Sequence, residues 1–161
     1  VRSPQEKIAL YAYDRALAEV NQLCSEDSPP LGSPIEKLLW SALLTVLFAD
    51  RDYPVASNRA PAVGEVGLSV QAKVEKFRVD FMVSVQNSRT GKYHHLVIEC
   101  DGHDFHERTK DQAKKDRSRD RRLQELGYTI YRFTGSEIFN DPISCVSTII
   151  EWVAAASWRR D

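Results

Sequence analysis

The sequence predicts one α/β domain built around a mixed sheet. Three observations carry that prediction. Helical and alternating apolar patterns follow one another in the order helix, helix, strand, strand, strand, helix, strand, helix. The length of 161 residues suits a single compact domain spanning 1–161. The apolar fraction of 42% supplies a core, and the charged fraction of 28% is ordinary for a folded chain.

Residues 4–24 have helical spacing, with Ile8, Tyr11, Ala16, Val20 and Leu23 on a repeating face. Ser3 and Pro4 form a start signal, with Glu6 three residues after Ser3. The Ser- and Pro-rich stretch 25–32 reads as a loop. A second start signal follows in Ser33-Pro34-Ile35-Glu36. The helix it opens carries Leu38, Leu39, Trp40, Leu43, Leu44, Leu47 and Phe48, apolar around much of its circumference, so it should be buried. Residues 50–65 look irregular, and strand patterning starts near Val66. Over 75–85 the alternation sets Phe77, Val79, Phe81 and Val83 on one face and Arg78, Asp80, Met82 and Ser84 on the other. A turn at 87–91 leads to a strand over 93–101. The charged segment 107–126 reads as a helix closed by Gly127, then a strand runs from Tyr128 to Phe133 and an amphipathic helix over 142–157.

Net charge is −1, so overall charge selects no partner. Its distribution is more telling: residues 107–126 hold eight Arg or Lys against five Asp or Glu. The plain reading is a solvated helix face; the functional one is a surface for phosphates. Three cysteines without CxxC spacing argue against a disulfide framework and fit a cytoplasmic protein. No apolar run nears the ~18 residues of a membrane span, and no signal peptide opens the chain. Val1 at the start suggests a piece of a longer protein. Nothing in the sequence sets an oligomeric state.

The densest chemistry lies in Ile98-Glu99-Cys100-Asp101-Gly102-His103-Asp104-Phe105-His106. Strand residues alternate faces, so Glu99 and Asp101 should point the same way. Two like charges so placed call for a cation. Asp80 interrupts the apolar strand before, and a short turn makes the two strands neighbours. Its plainer role is a pair with Arg78 or a lysine. Glu36 adds a fourth carboxylate, whose plainer role is to complete a capping box with Ser33. Oxygen ligands gathered this way suit Mg²⁺ or Mn²⁺, which can activate a water and steady charge on a phosphoryl oxygen.

An ordered set of motifs runs through the chain. Ser33-Pro34-Ile35-Glu36 comes first, then Gln71 ahead of Arg78-Val79-Asp80-Phe81. Ile98 to His106 follow, then Asp116, Arg119-Asp120, Leu123, Gly127 and Arg132-Phe133. This set, across residues 33–139, resembles the PD-(D/E)XK nuclease superfamily of restriction-endonuclease-like folds. It is similar above all to small bacterial domains related to the very-short-patch mismatch repair endonuclease. The resemblance implies an αβββαβ core with a mixed central sheet, with the helix over 1–24 and the helix over 142–157 as additions. It implies that Asp80, Glu99 and the carbonyl of Cys100 ligate the metal. Glu36 would hold a metal-bound water or second metal, and Gln71 would orient from the neighbouring strand.

The superfamily's lysine should stand two residues after Glu99, where this chain has Asp101; the relatives just described also carry Asp there. Two substitutes fit the sequence. Asp101 binds the metal or acts as a base, with His103 or His106 moving the proton. Alternatively Lys114, Lys115 or Arg119 reaches in from the charged helix, where Asp120 would hold Arg119 or a histidine. A zinc reading of Cys100, His103 and His106 lacks a fourth ligand. The leading expectation is a metal-dependent endonuclease acting on DNA. The alternatives are a DNA-binding domain with this fold and little catalysis, or an accessory domain of a larger DNA-processing protein.

Overall fold

The computed structural model describes residues 31–49, 54–56, 59–102 and 110–158. The helix expected over 4–24 lies outside the described residues, as do His103 and His106. Helix α1 (Pro34–Ala49) starts where the sequence signals it, with Ser33 Oγ accepting the Glu36 N–H at 3.2 Å. A five-stranded sheet follows, from β1 (Val55–Ala56), β2 (Val66–Val74), β3 (Phe77–Gln86), β4 (Tyr93–Asp101) and β5 (Thr129–Thr134). Its order is β1-β2-β3-β4-β5. The two outer pairings are parallel and the two inner ones antiparallel, so the sheet is mixed as expected. The charged helix α2 (Lys110–Glu125) links β4 to β5, and α3 (Gly135–Asn140) and α4 (Pro142–Trp158) complete the described chain.

Helix α2 ends as Gly127 predicts. Gly127 takes φ +87°, and the N–H groups of Gly127 and Tyr128 reach the carbonyls of Gln124 and Leu123 at 2.9 and 3.1 Å. Two elements escaped the sequence reading. Strand β1 is only two residues long. The short α3 opens on a capping box between Thr134 and Glu137, a signal present in the sequence.

Apolar layers cover both faces of the sheet. The larger core joins α1 and α4 to Val66, Phe81, Val83, Val85, Leu96, Ile98 and Phe133. Trp40 of α1 stacks on Phe81 with centroids 5.3 Å apart. The smaller core joins Leu123 of α2 to Val74, Val79 and Val97. The expectation that Phe77, Val79, Phe81 and Val83 share one face is wrong. Phe77 and Val79 pack with the α2 side, whereas Phe81 and Val83 pack with the α1 side. The neighbouring strand changes over at the same level: Val66, Leu68 and Val70 lie with the larger core, Ala72 and Val74 with the smaller. The cause is Gln71, which adopts the left-handed φ of +47° and turns the alternation over. Pairing runs from Val70↔Phe81 to Ala72↔Val79, so both strands turn over together without losing register.

At the far end of the sheet, Asn87 is fully buried between the β3–β4 turn and α4. Its Nδ2 donates to the Ala156 carbonyl at 2.9 Å, and its Oδ1 accepts the N–H groups of Arg89 and Thr90 at 2.9 and 3.0 Å. No helix among the described residues is long and apolar enough to cross a membrane.

Candidate active site

The antiparallel ladder between β3 and β4 ends at Phe81↔Ile98. Asp80 and Glu99 occupy the next position, where the strands part. Asp80 uses the opening: its Oδ2 accepts the Cys100 N–H at 2.8 Å. Glu99 and Asp101 stand on the α2 side of the sheet with Val97, as alternation requires. Both are buried, at 7% exposure. Cys100, between them, packs toward the larger core.

Glu36 approaches from α1. The capping box expected for it is only half formed. Ser33 caps the helix, but the Glu36 carboxylate accepts from Gly32 N at 3.0 Å and from Gln71 Nε2 at 2.9 Å. The turned-over residue of β2 thus holds the helix carboxylate at the site.

Burial sets the electrostatics. It raises the Asp80 pKa, and repulsion from Glu36 and Asp101 adds to it, while the Cys100 N–H and Arg119 work the other way. Glu99 is pushed up to about 7, chiefly by burial, with Asp80 adding and Arg119 opposing. The Cys100 thiol is also driven up, first by burial and then by Asp80, Glu36, Glu99 and Asp101. All four carboxylates therefore act on one point in the fold. Cys100 packs toward the larger core, away from the face that carries Glu99 and Asp101, which does not favour the soft-metal reading.

Two arginines meet this negative charge. Arg119 of α2 donates through Nη2 to Glu99 Oε1 and to the Arg78 carbonyl, the latter at 2.7 Å. Its Nε is buried and has no hydrogen-bond partner among the described residues. Arg132 stands beside Glu99 across the parallel ladder. It bonds Asp101 Oδ1 at 3.3 Å and Asp120 Oδ1 at 2.7 Å. Among the described residues Asp120 therefore holds Arg132 rather than Arg119. Of the three helix cations considered, Arg119 reaches the carboxylates. Lys114 and Lys115 are exposed, and neither pairs with a carboxylate among the described residues. Arg132 went unassigned because strand pairing decides its neighbours. A cation between Tyr131 and Phe133 of an apolar strand was nonetheless a signal that it has a partner.

Among the described residues, no three His, Cys, Asp or Glu side chains are grouped to hold a metal ion. The expected set needs only two, Asp80 and Glu99, with the Cys100 carbonyl as third ligand. Their chemistry fits a hard divalent cation: oxygen donors, little water, and carboxylates that repel one another. Arg119 now holds one of those oxygens.

The REase_MTES_1575 family model, a restriction endonuclease family, matches residues 62–153. No curated protein and no solved structure matches the chain. The matched stretch runs from before β2 into α4 and includes Gln71, Asp80, Glu99, Asp101, Arg119 and Arg132; Glu36 precedes it. That is more than half of the chain, and its fold is the mixed α/β core the motifs predicted. The chain belongs to the REase_MTES_1575 restriction endonuclease family.

Proposed function

We propose that the chain is an endonuclease that hydrolyses DNA phosphodiester bonds with Mg²⁺ or Mn²⁺ as cofactor. The observation that carries this reading is the desolvated pair Asp80 and Glu99 at the parting of β3 and β4. Asp80, Glu99 and the Cys100 carbonyl would hold the ion, with Glu36 in support through a water or second ion. The bound ion would lower the pKa of the attacking water and offset charge on the phosphoryl oxygens. Gln71 fixes Glu36 by its hydrogen bond. Arg119, seated on Glu99, would supply the positive charge that the superfamily takes from a lysine. Asp101, held by Arg132, keeps that second cation beside Glu99. His106, with His103 as the alternative, is the proton carrier in this scheme. Lys114 and Lys115 would meet phosphates further along.

A specific observation favours a second reading, a DNA-binding domain with little catalysis. Arg119 occupies Glu99, and Asp101 stands where a lysine would serve. Cleavage of supercoiled and linear DNA separates the two. Wild type with Mn²⁺ should nick or cut, EDTA should stop it, and Asp80→Asn and Glu99→Gln should each lower the rate at least a hundredfold. Binding of DNA without any cleavage by wild type would leave the second reading.

A further inference from the structure

We propose that the β2–β3 hairpin and the adjoining face of α2 form a furrow that holds the phosphate backbone of duplex DNA and leads it into the carboxylate site. This inference rests on the nuclease reading and deepens it. Two adjoining clefts make the furrow. The first is lined by Gln71, Lys73, Lys76 and Arg78, and the second shares Lys76 and Phe77 with it and adds Arg121 and Arg122.

The charge arrangement is what points to a polyanion. Lys73 and Arg78 are direct cross-strand partners, both exposed. Like charges placed opposite each other on a sheet destabilise it unless something negative lies across them. The two acids that line the second cleft, Glu75 and Glu125, do not play that part, and Glu125 sits 3.4 Å from Arg122. Glu75, at the hairpin turn with φ +51°, is taken by Arg122 at 2.6 and 3.2 Å. That bridge ties the hairpin tip to α2. Lys73, Lys76, Arg78 and Arg121 make no salt bridge with a carboxylate among the described residues, and Glu75, the acid beside Lys76, is bridged to Arg122. Lys76 Nζ lies 5.5 Å from the centre of the Phe77 ring, which fixes it over the furrow.

The furrow also ends in the right place. At its inner end, Gln71 bonds Glu36. Arg78 lies two residues before Asp80, and its carbonyl is bound by the same Arg119 that bonds Glu99. The change of face at Gln71 and Asp80 lays Ala72, Val74, Phe77 and Val79 against α2, so Lys73 and Arg78 stand on the other face and the two clefts meet at Lys76 and Phe77, where the furrow rounds the hairpin tip to Arg121.

The test is the salt dependence of binding to a random-sequence DNA duplex in EDTA, where no cleavage occurs. Each phosphate contact adds about 0.9 to the steepness of log K against log salt. The triple variant Lys73→Ala, Lys76→Ala, Arg121→Ala should flatten the slope by about 2 to 3 and keep the wild-type melting temperature. A control with the exposed cations Lys37→Ala and Arg89→Ala, away from the furrow, should leave the slope within about half a unit. An unchanged slope in the triple variant, or equal flattening in the control, overturns the furrow. Cleavage with Mn²⁺, run in parallel, keeps the two ideas apart: a flattened slope with no wild-type cleavage sinks the nuclease reading alone. Cleavage with an unchanged slope sinks the furrow alone. A wild type that neither binds nor cuts overturns both.

Discussion

At the scale of single residues, Glu99 concentrates the cost of the site. It lies almost out of water beside Asp80, and Arg119 does not fully offset that, since burial still carries its pKa to about 7 from 4.5. The folded state therefore binds a proton more tightly than the unfolded chain between those two values. The metal-free protein should lose stability as pH rises from about 4.5 to about 7 and level off above, by on the order of 3 kcal/mol from this group. Asp80 pulls in the same direction. Melting temperatures at pH 5 and pH 8 in EDTA check this, and Glu99→Gln should remove most of the difference. A variant that keeps the wild-type slope would show that the charge on Glu99 is not its source. The sequence made Asp80, Glu99 and Asp101 readable, because charges inside apolar strands call for partners. It could not choose those partners. Arg119 was one of three candidates on a helix, and Arg132 became a neighbour of Asp101 only through the parallel register of β4 and β5.

At the scale of elements, what the sequence showed was period, and what it hid was a change of phase. The alternation over β3 looks continuous, yet the faces exchange at Asp80 because Gln71, across the ladder, has a left-handed backbone. A glutamine in that conformation leaves no mark on a hydrophobic pattern. The exchange has a use: it lets the outer hairpin pack on α2 while the inner strands pack on α1, with the carboxylates at the break. The opposite end of the same sheet is tied to α4 by Asn87 and by Ser88, whose N–H and Oγ donate to the Ser157 carbonyl at 2.9 and 3.1 Å. Asn87 organises the β3–β4 turn through Oδ1 and bonds a last-turn carbonyl of α4 through Nδ2. Asn87→Ala would leave those buried groups unmatched, at about 1–3 kcal/mol. Asn87→Asp keeps the acceptor but buries a charge whose second oxygen meets the Ala156 carbonyl, so at pH 7 it should cost at least as much as the alanine. Urea unfolding at pH 7 measures both. A cost below about 0.5 kcal/mol for the alanine would mean that water replaces the side chain there.

At the scale of the molecule, the site opposes the fold that carries it. Two cores hold the sheet from both sides, and between them four carboxylates act on one buried point. Such an arrangement lowers stability unless positive charge arrives. Arg119 and Arg132 supply part of it. A divalent cation that binds the folded chain alone would supply the rest, stabilising by about 2.7 kcal/mol at a hundred times its Kd. For a domain of this size that corresponds to a rise of roughly 5–10 °C in Tm. Differential scanning calorimetry at pH 8 with and without Mn²⁺ should show that rise in wild type and lose it in Asp80→Asn and Glu99→Gln. The same two variants should melt above wild type in EDTA at that pH, because each removes one of the repelling charges. Arg119→Gln should show the reverse pattern: a lower Tm in EDTA, since Glu99 loses its partner, and a larger gain with Mn²⁺, since the arginine no longer competes for Glu99. Variants of Asp80 and Glu99 that melt below wild type in EDTA would mean that packing, not repulsion, sets the energy of the pair. A wild-type Tm indifferent to Mn²⁺ would mean that the arginines are the only cations the site takes.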